Sequence, residues 1–164
     1  MLFFRDDWEH QAPIIRKIRQ YQPEIVLCNA INDRHPDHGR AAGLVREACF
    51  YSGLSKIKTE MKGKPQSAWR PKAVYHYIQD KYIDPDFVVD VTDFAEKKMA
   101  SIKAFSSQFY DSRSKEPETP ISSENFLGFI DGRMRNFGRS IGVKYAEGFT
   151  TSRCIGISNL FDLT

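Results

Sequence analysis

The chain has 164 residues but only three cysteines, Cys28, Cys49 and Cys154, which are far apart and form no Cys-x-x-Cys pair. They read as reduced, mostly buried thiols of a cytosolic protein. Nowhere do about 18 apolar residues run together, so no membrane-spanning helix is expected. The start, Met1 to Asp7, lacks a basic region followed by an apolar core of signal-peptide length, which disfavours secretion and leaves a cytoplasmic location expected. No large block of like charge stands out beyond Lys97-Lys98 and Lys62-Gly63-Lys64, and the net charge is +3. That balance is too mild to imply a nucleic-acid partner. No internal repeat is visible. What is present is an apolar fraction of 41%, enough for a real core in one domain of this length.

The pattern alternates helices and buried strands. Ile14, Ile15, Ile18 and Tyr21 share a helical face, with Pro13 tolerable in a first turn and Pro23 ending the helix. Glu24 to Cys28 is a short apolar run with the look of a strand buried on both faces of a parallel sheet. A polar loop from Asn29 to Pro36 leads into a helix from Asp37, carrying Ala41, Leu44, Val45, Ala48 and Cys49 and stopping at Gly53. Ser55 to Arg70 reads as a long polar excursion with at most a helical turn. Strands follow at Ala73 to Ile78 and Phe87 to Val91. A capping-box-like start at Asp93 to Glu96 opens a helix buried through Phe94, Met99, Ile102 and Phe105. Ser112 to Pro120 is a charged loop. A last helix, capped by Ser122 or Ser123 and stopped by Gly138, carries Phe126, Leu127, Ile130, Met134 and Phe137, and Val143 to Tyr145 is a weak strand. The expected class is α/β, a three-layer, mostly parallel Rossmann-like sheet.

Two of only four histidines sit in Asn32-Asp33-Arg34-His35-Pro36-Asp37-His38-Gly39-Arg40. Two imidazoles three residues apart can face one point, which makes metal chemistry the first hypothesis. A catalytic zinc takes three protein ligands, so this pair supplies at most two. The loop leaves the carboxyl end of a strand and enters a helix N-terminus, where α/β sheets bind ligands.

That run, with Glu47-Ala48-Cys49-Phe50 and Arg70-Pro71 leading into Tyr75-His76-Tyr77-Ile78-Gln79, resembles the bacillithiol-biosynthesis deacetylases of the zinc-dependent N-acetylglucosaminyl de-N-acetylase superfamily. Phe87 to Val91, Ser107 to Tyr110 and Tyr145 to Phe149 fit it as well, and the resemblance runs from about Trp8 to the C-terminus. It implies a hydrolase that removes acetate from a small glycoside, N-acetylglucosaminyl malate in this subgroup. It assigns His38 as a zinc ligand and His35 as the group that stabilises the oxyanion or protonates the leaving amine. Asp37 would orient the His35 ring. Arg34 and Arg40 are candidates for the malate carboxylate, since a guanidinium suits bidentate recognition. His76 is either a substrate-side residue or a satisfied core histidine, and Asp80 and Asp90 are weaker candidates for replacement ligands.

Family members also begin with a strand and a His-Pro-Asp-Asp motif carrying two further ligands and the general base. Nothing of that kind precedes Trp8, and neither His10, followed by Gln11, nor His76, followed by Tyr77, stands in for it. The expectation is therefore a single partial deacetylase domain over residues 1–164, without the first strands of the sheet and inactive as this chain. The alternative is a non-catalytic remnant acting as a carbohydrate-binding or interaction module. In either case an uncovered apolar sheet edge is expected to drive self-association into a homo-oligomer.

Overall fold

The computed structural model describes residues 5–105, 119–123 and 125–162. The first helix, α1 (Trp8–Tyr21), starts where the Asp7 carboxylate accepts the His10 N–H at 3.1 Å, so Pro13 lies inside the helix rather than in its first turn. Strand β1 (Ile25–Cys28) leads through a loop to α2 (Pro36–Ser52). Gly53 caps α2 in right-handed geometry; glycine is required there because a Cβ would sit 2.4 Å from Arg70 Nε. The polar excursion holds a hairpin not foreseen in it, β2 (Glu60–Met61) against β3 (Lys64–Pro65). Lys62 and Gly63 both take positive φ at its turn, as tight hairpins demand.

Next come β4 (Ala73–Tyr77), β5 (Phe87–Asp90), a 3-10 turn over Thr92–Phe94 and α3 (Ala95–Lys103). Phe94 and Phe105 fall outside α3 and are exposed, so the buried side of this helix is Ala95 with Met99 and Ile102 packed behind it. The segment Ser107 to Tyr110 and most of the charged stretch before Pro120 lie outside the described residues. Helix α4 (Phe126–Ser140) is preceded by Asn125, with no side-chain cap from Ser122 or Ser123. It runs through Gly138 because that glycine lets the turn after the helix approach: a Cβ there would lie 2.7 Å from the Val143 carbonyl oxygen. The final strand, β6 (Ala146–Thr151), begins just after the expected Val143 to Tyr145.

The strand order is β1-β4-β6-β5, an α/β architecture of the Rossmann-like kind expected. β1 and β4 are parallel, Cys28 opposite His76, while β6 is reversed, with Thr150 opposite His76. The chain forms two compact units, one of residues 5–87 and 149–162, the other of the described residues from 88 to 148. In the first, Ile15 and Ile18 of α1 meet Ala48 and Cys49 of α2, with Val26 and Val74 of the strands against them. In the second, Ala95 packs with Ile130 and Met134. Among the described residues, no helix is long and apolar enough to cross a membrane.

Two features of the first unit have measurable consequences. Buried Arg19 is bonded by oxygens only: the Ser52, Ile57 and Leu54 carbonyls and the Thr59 hydroxyl, at 2.8 to 3.0 Å. It ties the end of α1 to the end of α2. Arg19→Ala strands those acceptors and is expected to lower stability by about 3 kcal/mol in urea melts, with no rescue by lysine, which lacks the fork. On β1, Val26 and Cys28 point inward while Ile25 and Leu27 are 54% and 58% exposed, so the strand is not buried on both faces. It stands at the edge of the strand order. Sedimentation is expected to show self-association that Leu27→Lys suppresses; a wild-type monomer with a cooperative melt would count against this.

Candidate functional site

The loop between β1 and α2 is built around one carboxylate that the sequence pattern did not single out. The Asp33 side chain is fully buried, at 0% exposure. Its Oδ1 accepts the backbone N–H groups of Arg34 and Lys81 at 2.8 Å and of Asp80 at 3.2 Å. Its Oδ2 meets His38 Nδ1 at 2.5 Å. Asp33 thereby clamps the loop after β1 to the loop after β4. Desolvation pushes its pKa up, but the bonds from Lys81, His38 and Arg34 outweigh this and hold it below the ordinary value.

The clamp sets the chemistry of His38. A carboxylate only accepts, so Nδ1 carries the proton and the neutral ring presents its lone pair on Nε2. That nitrogen lies 3.4 Å from the side-chain amide nitrogen of Gln79. The Gln79 amide oxygen is buried without a hydrogen-bond partner. A carboxylate behind a histidine is the usual support for a metal-ligating imidazole, and here the far nitrogen is met only by the long contact from the Gln79 amide N–H.

His35 has the opposite arrangement. It caps α2, its Nδ1 accepting the Asp37 backbone N–H at 3.2 Å, so its neutral ring carries the proton on Nε2. The two rings lie 5.3 Å apart between centroids. Asp37 meets the His35 ring through its backbone N–H. Its carboxylate is 4.0 Å from the ring, beyond hydrogen-bonding reach, and bonds Arg40 at 3.2 Å instead.

The other candidates divide. Arg34 Nε bonds Asp80 at 2.6 Å, so this arginine and Arg40 each already face a carboxylate. His76 is only 3% exposed; its Nδ1 donates to the Asn29 carbonyl at 2.8 Å and lies 3.2 Å from Cys28 Sγ. Burial pushes the Cys28 thiol up to about 12, which makes it an inert neighbour. Asp90 accepts the Thr92 N–H and serves its own turn.

Among the described residues, no group of three histidine, cysteine or acidic side chains is placed to hold a metal. His38 offers one strong donor and the Gln79 amide a weak one, which falls short of the three nitrogen, sulfur or carboxylate ligands of a catalytic zinc. The described residues therefore do not make up a complete zinc site.

No family model matches the chain. Over 143 residues, 85% of its length, it is 28% identical to the diacetylchitobiose deacetylase of Thermococcus kodakarensis, of which the match covers 49%. Among solved structures, the conserved protein TT1542 of Thermus thermophilus superposes with a TM-score of 0.80 at 24% identity, covering 96% of this chain and 64% of that one. The 4-carboxy-2-hydroxymuconate hydratase GalB of Pseudomonas putida KT2440 gives 0.68 at 21% identity, covering 95% and 63%. The chain thus spans about half the length of the curated relative it matches. The structural likenesses establish the fold, which carries more than one reaction.

The Asp33 clamp has a pH signature. Its folded pKa lies below the unfolded value of about 3.9. The stabilisation is therefore complete above that value and is lost as pH falls through the folded pKa. Asp33→Asn is expected to lower stability by about 1 to 3 kcal/mol at pH 7 and by less at a pH well below about 3.9. An equal gap at both pH values in urea melts would remove the clamp.

Proposed function

We propose that the chain carries part of the catalytic centre of a zinc-dependent de-N-acetylase acting on N-acetylglucosaminyl substrates. The observation that carries this is the pair of imidazoles held in complementary states. Asp33 leaves a lone pair on His38 Nε2, and the Asp37 N–H leaves a proton on His35 Nε2. The similarity to a diacetylchitobiose deacetylase supports the same reading.

Amide hydrolysis needs a donor for the tetrahedral oxygen and a proton for the leaving amine, and His35 Nε2–H is suited to either. His38 Nε2 is proposed as one ligand of the zinc. Turnover by these 164 residues alone is expected to be absent, because the described residues do not complete the ligand set. The substrate we favour is N-acetylglucosaminyl malate, a small glycoside on the route to bacillithiol, made in the cytoplasm. Arg34 and Arg40 are its proposed carboxylate partners, each exchanging an internal acid, Asp80 or Asp37, for the malate. A second reading, a non-catalytic carbohydrate-binding module, is favoured by the incomplete ligand set.

An exchange experiment separates the two. Residues 29–40 placed in the Thermococcus deacetylase at the matching segment are expected to keep zinc and acetate release from diacetylchitobiose. In that background His38→Ala loses both, whereas His35→Ala keeps zinc and lowers kcat by about 10² to 10⁴. A folded exchange protein that binds no zinc would sink the deacetylase reading, as would full turnover in both histidine variants.

A further inference from the structure

Beside the imidazole pair, and lined by neither His35 nor His38, lies a cavity of about 570 Å³ within the first unit. One wall is α2, through Gly39, Gly43 and Arg46; the other is formed by His76 and Thr150, cross-strand partners on β4 and β6. Asp84 and Asp86 close it from the loop before β5.

His76 and its cross-strand partner Thr150 belong to one wall of this space. His76 uses Nδ1 as a donor to the Asn29 carbonyl, so Nε2 carries a lone pair, and that nitrogen makes no bond among the described residues. Thr150 is 6% exposed, and its hydroxyl is buried without a hydrogen-bond partner. The unbonded His76 nitrogen is the polar atom that this wall presents, and its lone pair calls for a donor.

The opposite wall is kept low against helix propensity. Gly43 sits in mid-helix, where alanine is the more stable choice, yet a Cβ there would meet nothing within 4 Å. No crowding demands the glycine. Its effect is to leave the cavity open.

We propose that this cavity binds a hydroxylated small molecule carrying one carboxylate, of the size of a sugar acid. His76 Nε2, Asp84 and Asp86 are acceptors and call for ligand hydroxyls. Asp86 keeps one oxygen for this, its other accepting the Thr151 N–H at 2.7 Å. Arg46 is the cation of the lining and matches a carboxylate bidentately. Two carboxylates against one guanidinium select against a compact dianion such as phosphate.

The proposal does not rest on the deacetylase reading, and its test needs neither zinc nor turnover. The full chain, labelled with ¹³C-histidine and with the His76 signal assigned through His76→Gln, is titrated with glucuronate, glucose and inorganic phosphate. Glucuronate is expected to move the His76 resonance saturably, glucose to bind at least about tenfold more weakly, and phosphate not to move it. Arg46→Gln should reduce glucuronate to the level of glucose. Gly43→Leu should fill the space and abolish the shift with a cooperative melt retained; Gly43→Val, a smaller filling, should weaken both sugars severalfold and serves if the leucine variant does not fold. No saturable shift with glucuronate, glucose binding as well as glucuronate, a shift that survives Gly43→Leu, or phosphate competing equally would each overturn it.

Discussion

A buried carboxylate with four donors holds the site end of this molecule together. Asp33 would be costly to bury alone. Three backbone N–H groups and one imidazole satisfy it, two of them from the loop that follows β4. The parallel pairing of β1 with β4 brings those two loops to the same end of the sheet, and the carboxylate converts that nearness into a fixed geometry. The direction of His38, the proton on its inner nitrogen and the lone pair on its outer one all follow from this one bond.

The neighbouring histidine is set by a different device with the opposite result. A helix N-terminus offers N–H donors, and His35 accepts one of them as the cap of α2. An imidazole that accepts at Nδ1 presents a proton at Nε2. Two rings 5.3 Å apart thus offer one lone pair and one proton, from an acid behind one and a backbone amide behind the other. That division is what acid–base chemistry on an amide asks for.

The sequence made the strand, the loop, the following helix and the nearness of His35 to His38 legible, because those depend on local pattern: an apolar run, a Pro at a helix start, a histidine spacing. The acids are less legible. Asp37 is adjacent to both histidines in sequence and attracted the orienting role, yet a residue in the first turn of α2 points its carboxylate along the helix to Arg40. Asp33 clamps the two loops through Asp80 and Lys81, some 47 and 48 residues away, and no local pattern shows such a contact. Gly138 failed as a helix stop for the same reason, since its partner is the turn beyond the helix rather than the helix itself. The exposure of Ile25 and Leu27 depends on which strand stands at the edge, a property of the whole sheet.

The donors around Asp33 decide whether its pair with His38 is only a staple. Three backbone N–H groups already satisfy one oxygen of the carboxylate, and a serine or asparagine at position 38 would serve the second as a fourth donor. An imidazole instead carries a second nitrogen, which here faces a buried glutamine whose amide oxygen has no partner. Stability alone gives no reason for a buried amide oxygen without a partner, which costs about 1 to 3 kcal/mol. The Asp33–His38 pair, with that oxygen beside it, differs in this from Arg19, whose four bonds each meet an oxygen of the chain.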